Sequence, residues 1–308
     1  MSTITESMSS VRDFINKPRR QYALIKNLKS WNQLCASMDA IEYSNHAVDA
    51  YIAGDSPEDH GERYLRLFGL MQALVIQQDA IKHLYEALSY EDPLRSVEKL
   101  KEIRNIRHDC AGHPTKQWSG TAHFTFEVEK TKFKIISYKA SERHVFREIE
   151  TLELAQEQQR IISEVLDRLI DIFQVEEQRH KDKFKMIKLA DYLDVGYPIE
   201  KIMSAIERPE HLGLGPIHLD ELSRKMGDFE KALAERGINT DTYDSIHYLF
   251  EDLRYIVAEF GGYFESLKSG QEPRLSKKDA ELFGYSLDKK VEELVELAQE
   301  LDDEYSVN

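Results

Sequence analysis

The sequence predicts an all-α protein, mainly a helical bundle, with a small β-hairpin inserted after the third long helix. Three observations carry this. Apolar residues recur at three- and four-residue intervals along most of the chain. The rhythm changes to alternation only across residues 121–128 (TAHFTFEV) and 132–138 (KFKIISY). Glycine and proline stops separate the periodic stretches. With 308 residues and 41% hydrophobic content, the chain has enough apolar surface for one large core or two ordinary ones.

The elements follow in chain order. Residues 1–18 read as a flexible N-terminus, and the polar opening MSTITESMSS lacks the apolar region of a signal peptide. Residues 19–53 read as one helix, with Pro18 at a tolerated first-turn position and Gly54 as the stop. Its stripe is Leu24, Leu28, Trp31, Leu34, Met38 and Ile41. Asp55-Ser56-Pro57 is expected to cap a second helix buried through Leu67, Leu70, Leu74, Ile81 and Leu84. Asp92-Pro93 opens a third helix that runs to Ala111.

The hairpin near 121–138 turns at 129–131, and Lys130, Lys132, Lys134 and Lys139 make one edge basic. Discouraging edge pairing is the first reading of those lysines, and guiding RNA the second. A fourth helix spans 152 to about 188. Gly196-Tyr197-Pro198 and the glycines near 213–216 mark a boundary, giving a helical domain at 19–195 and an acidic helical region at 196–308. In that region helices are expected at 199–206 and at about 219–236, 242–266 and 287–303. Leu287, Val291, Leu294, Leu297 and Leu301 form a seam for another helix or a second protomer.

Charge and cysteine usage narrow the function classes. The formal net charge is −15, and residues 196–308 hold about 25 acids against 13 bases. A general nucleic-acid coat protein is excluded by this balance, and any polyanion site belongs in the first two thirds. Cys35 and Cys110 form no CxxC pair, so neither a disulfide framework nor a thiolate zinc site is expected, and a reducing, cytoplasmic setting fits. No run approaches the ~18 apolar residues of a membrane span, so no membrane partner is expected.

The chemistry-bearing stretch is IRNIRHDCAGHPT, residues 103–115. The register of Val97, Leu100, Ile103 and Cys110 turns Arg107 inward, and a permanently charged guanidinium there needs a partner. Asp79, beside the stripe of the second helix, is expected to hold or orient it, with a solvent-pointing Asp79 as the equal alternative. Gly112 is expected to supply a left-handed closing residue, and Pro114 to stop the helix, so that His113 sits on a short corner near Arg107. A fixed cation beside an imidazole is the minimum equipment for acid–base chemistry on a phosphate.

Residues 107–113 (RHDCAGH) resemble the Arg-polar-spacer-His signature of the HEPN superfamily, helical proteins many of which are metal-independent RNases. Five residues separate Arg107 from His113, and His108 stands where asparagine is more usual. The GHP ending and the helix carrying GLMQALVIQQDAI are also similar to bacterial members with a hairpin after the motif. The likeness covers roughly residues 20–175 and says nothing of the C-terminal third. It implies an endoribonuclease with RNA as substrate, no cofactor and no metal, working as a homodimer with a composite site. A toxin, an antiphage effector or a housekeeping factor are the settings it suggests. Carried over by position, His113 is the acid/base, Arg107 the phosphate clamp and His108 an orienting polar group. Asn105 and Asp79 take supporting places, Asn105 being offset from the face of Arg107.

Two other readings stay open. His108-Asp109 has the form of the HD pair of metal-dependent phosphohydrolases, with His83 upstream and Asp167 or Asp171 downstream as further ligands, although HDCAGH is one residue longer than the compact form. Alternatively Arg107 and His113 are structural and the chain is a non-catalytic RNA- or protein-binding module. The acidic C-terminal region would then, as in the first reading, cover a cleft, bind a partner protein or regulator, or extend a dimer. No stacking platform such as an RRM signature is legible in the sequence.

Overall fold

The computed structural model describes residues 2–115, 120–139, 143–240 and 244–306. It is mainly α-helical, with ten α-helices and one three-stranded antiparallel sheet among the described residues. The chain divides into two compact units, Met1–Gln174 and Val175–Asn308. That division falls inside a helix and not at the glycine–proline break near 196. The break is absorbed locally, because Gly196, Tyr197 and Pro198 form the first turn of a helix, where proline needs no N–H partner.

In the first unit the stretch expected to be flexible is the helix α1 (Ile4–Ile15). Thr3 and Glu6 cap each other reciprocally at its start, and Ile4, Met8, Val11 and Ile15 are buried at a 4-3-4 spacing. The polar letters between them hid this stripe. The single helix expected over 19–53 is two, α2 (Pro18–Ile25) and α3 (Leu28–Ala53), because Asn27 leaves the helical register and its side chain accepts from the Ser30 N–H. Asp59, not Asp55, caps α4 (His60–Ala87) by accepting from the Glu62 N–H at 2.8 Å. Asp92 organises a turn through the Leu94 N–H, so α5 (Glu98–Arg107) starts later than the Asp-Pro pair suggested.

The helix α6 (Thr151–Phe184) completes this unit's core. α4 carries several polar residues in an apolar run, and the structure gives them partners. Gln78 donates to Gln158 Oε1 at 2.7 Å, and Gln158 Nε2 donates in turn to the Leu74 carbonyl at 2.8 Å and to Gln77 Oε1 at 2.9 Å, all three side chains buried. A buried amide linked on both sides avoids the desolvation cost of an unpaired polar group.

The expected two-stranded hairpin has a third strand: β1 (Ala122–Phe126), β2 (Lys132–Tyr138) and β3 (Val145–Glu150) lie in the order 1-2-3, all antiparallel. In β3 the alternation of Val145, Arg147 and Ile149 is present but masked by the charges of REIE. Phe133, Ile135 and Ile149 share one buried face. β2 is the central strand, so its lysines guard no edge. Lys134 pairs with Glu127, and Lys132 with Glu148 at 3.5 Å.

The second unit comprises a 3₁₀ turn (Ala190–Leu193) and the helices α7 (Gly196–Glu207), α8 (Leu214–Glu235), α9 (Asp244–Ser269) and α10 (Lys277–Ser306). The expected start of the third helix at Thr242 lies outside the described residues. α10 begins at Lys277, with Ser276 and Asp279 capping each other, ten residues before the predicted seam. Leu287, Val291 and Leu294 of that seam are buried, Leu297 and Leu301 partly so, in the unit's own core, where α10 packs on α7 and α9. Among the described residues no helix is long and apolar enough to cross a membrane.

Candidate functional site

The motif sits where α5 ends. After Arg107 the helix widens into one π-helical turn over His108–Gly112, and the His113 N–H donates to the His108 carbonyl at 2.9 Å, five residues back. Such wide turns insert an extra residue into a helix and are frequent at functional sites. The consequence is local: the imidazoles of His108 and His113 meet edge to face at 4.8 Å. Leu100, Ile103, Ile106 and Cys110 anchor the turn in the core, while His113 is exposed.

Arg107 is half-buried. Its Nη2 donates to Gln72 Oε1 of α4 at 2.8 Å, and its Nε is buried with no hydrogen-bond partner. The expected partner was Asp79, which instead pairs with Arg104 at 2.5 Å on a half-exposed surface. The two arginines are separated by nearly one turn, and α4 presents an amide to Arg107 and a carboxylate to Arg104. Among the described residues the Arg107 charge meets no carboxylate, whereas the Asp79–Arg104 pair is a half-exposed contact of little energetic weight.

Gly112 is not left-handed, contrary to the sequence expectation; the glycines with positive φ are Gly120, Gly237 and Gly270. Glycine here leaves space. A Cβ at residue 112 would stand 3.0 Å from Arg107 Nη1 and 3.3 Å from His108 Nδ1. The glycine therefore lets the guanidinium and the first imidazole close over the turn. Gly112→Ala is expected to displace both groups by a few tenths of an ångström. Its stability, read from a urea melt, should fall by less than about 1 kcal/mol; a larger loss would show that the two side chains cannot give way.

Asp109 is engaged by the sheet. It accepts from Arg147 of β3 and lies 3.5 Å from His123 Nε2 of β1, whose Nδ1 is 2.8 Å from the Ser137 hydroxyl of β2. His123 and Ser137 face each other directly across the two strands. Thus the sheet grips the motif through Asp109, which is its structural tie. Between the sheet and the end of α5 runs an open groove of about 460 Å³, lined by Asn105, His108 and Asp109 on one side and by Ser137, Lys139, Arg143 and Arg147 on the other. Asn105, offset from Arg107 in the helical register, belongs to this groove.

The residues that sequence reasoning missed are Gln72, His123, Ser137, Arg143 and Arg147. Gln72 carried a signal, a polar residue inside an apolar run; the strand residues carried none until the third strand was in place. The ligand set of the HD reading is not assembled. His83 is exposed on α4, Asp167 accepts from the Ser7 hydroxyl at 2.8 Å, and Asp109 is taken by Arg147. Among the described residues no three His, Cys, Asp or Glu side chains are grouped to hold a metal ion. Burial pushes the Cys110 thiol up to about 12, which removes it as a nucleophile near neutral pH.

No protein-family model matches the chain, and neither a curated protein nor a solved structure matches it.

Proposed function

We propose that this chain is a metal-independent endoribonuclease of HEPN type, acting as a homodimer with a composite site. The observation that carries the reading is the gathering of one guanidinium and two imidazoles by a single wide turn, with Gly112 leaving room for them. RNA brings its own nucleophile. The 2′-oxygen attacks phosphorus, the bond to the 5′-oxygen breaks, one proton leaves the 2′-hydroxyl and one is delivered to the 5′-oxygen. Exposed His113 is the group for proton transfer.

Arg107 keeps Nη1 beside the turn and its charge unmatched by any carboxylate at Gln72, so it is free to hold the non-bridging oxygens as charge grows on them. His108, edge-on to His113, orients that ring. A second copy of the turn would supply the second proton-transfer group. RNA cleavage in a transfer-RNA or messenger-RNA pool is expected to persist in excess EDTA and to leave 2′,3′-cyclic phosphate ends. Loss in EDTA would favour the HD-type metal site instead. No cleavage in either condition would favour a non-catalytic binding module. The roles of toxin, antiphage effector or housekeeping factor are consistent with the same chemistry, and the acidic second unit is suited to a regulatory or partner-binding role.

A further inference from the structure

The face of the sheet turned away from the core is aromatic. By the strand register, Phe124, Ile136 and Phe146 lie in one row across β1, β2 and β3, with Tyr138 one pleat further along β2. Phe124 is 57% exposed and Phe146 67%. Their separation is two strand spacings, roughly 10 Å. Tyr138 meets Phe124 edge to face at 5.2 Å and His144 at 4.0 Å. Ile136, between Phe124 and Phe146 in the row, is only 8% exposed yet belongs to neither unit's main core. Large rings left in water on a small antiparallel sheet mark a binding surface.

Charge identifies the occupant. At one end of the row Lys134 and Lys132 are neutralised by Glu127 and Glu148. At the other end Tyr138 and His144 lead to Arg143, which lines the groove that also contains Asn105 and His108. Flat rings that accept any π-face, joined to cations that follow a phosphate backbone, are the two components of single-strand nucleic-acid binding. Bases inside a duplex are stacked on their neighbours and offer no free face.

We propose that the outer face of this sheet is a stacking platform for unpaired RNA, with Phe124, Phe146 and Tyr138 taking bases while Arg143 draws the backbone into the groove beside His108. The inference rests on the RNA-cleaving reading and adds its substrate class, single-stranded RNA. It is tested with the full chain and a labelled 12-nucleotide RNA bearing 2′-O-methyl groups, which cannot supply the attacking hydroxyl, so that binding is measured apart from cleavage.

Phe124→Ala with Phe146→Ala is expected to weaken binding of the single strand by at least about 30-fold and to leave the matching blunt duplex within about twofold. Phe124→Trp with Phe146→Trp is expected to restore it, and Phe124→Leu with Phe146→Leu is not, which separates stacking from apolar area. Arg143→Gln should weaken both forms alike and flatten the salt dependence. Unchanged single-strand affinity in the folded alanine variant overturns the platform. So does conversion of a dimer to a monomer by that variant in sedimentation velocity, which would assign the face to a second copy of the chain. If binding follows the rings but wild type cleaves no unmodified RNA, the platform stands and the nuclease reading falls; cleavage indifferent to the rings gives the reverse.

Discussion

His113→Ala is expected to reduce cleavage of single-stranded RNA by about 10²–10⁴-fold, the contribution typical of a positioned general acid or base. Because His113 is exposed at the end of the wide turn, its loss should change stability by less than about 0.5 kcal/mol. On the proposed nuclease reading Arg107→Ala is expected to cost as much activity, but for a different reason: it removes the fork proposed to hold the transition-state oxygens. Arg107→Lys keeps the charge and loses the fork, so a partial rescue measures charge against geometry. The half-buried arginine donates to neutral Gln72, and its removal should cost about 1 kcal/mol, read from a urea melt. The arrangement of outcomes is diagnostic. If His113→Ala cleaves at the wild-type rate, the proton-transfer role is wrong; if Arg107→Ala unfolds the first unit, the arginine is a structural post.

Asp302→Ala is expected to give the largest loss of stability, about 3–5 kcal/mol in the second unit, because it strands a buried cation. Arg236 is 1% exposed at the end of α8. Asp302 of α10 lies 3.0 Å from its Nη2 and also accepts from the Leu189 and Ala190 N–H groups at 2.9 and 3.0 Å. The guanidinium also donates to the Ile187 carbonyl and sits 4.7 Å over the Tyr305 ring. Its Nε and Nη1 are buried without hydrogen-bond partners, so the ion pair is only partly satisfied even in the native state. Asp302→Ala with Arg236→Met should therefore recover much of the loss, since the cation is gone along with its partner. Denaturant melts followed by circular dichroism test this, and a loss below about 1 kcal/mol for Asp302→Ala alone would show that water reaches Arg236.

The sequence by itself determined the helical class, the place of the sheet and the stretch for which chemistry is proposed. Each rests on local periodicity: the stripe of α4, the alternation of 132–138, and the apolar positions of α5 that drive Arg107 inward. It also singled out His113 through the helix stop, although the stop proved to be a wide π-helical turn with Gly112 leaving room and not supplying a left-handed backbone. Tertiary structure decided every pairing. Which α4 residue meets Arg107 depends on the rotation of two packed helices, and a shift of about one turn moves Asp79 to Arg104 and leaves Gln72 for Arg107. That β3 joins the sheet is a long-range event. Only then do Arg147 and His123 close on Asp109, and Phe124 and Phe146 fall into one row. Asp302, one acid among many on an acidic helix, becomes the counter-charge of a buried arginine for the same reason: burial is a property of the packed chain, and no window of neighbouring residues contains it.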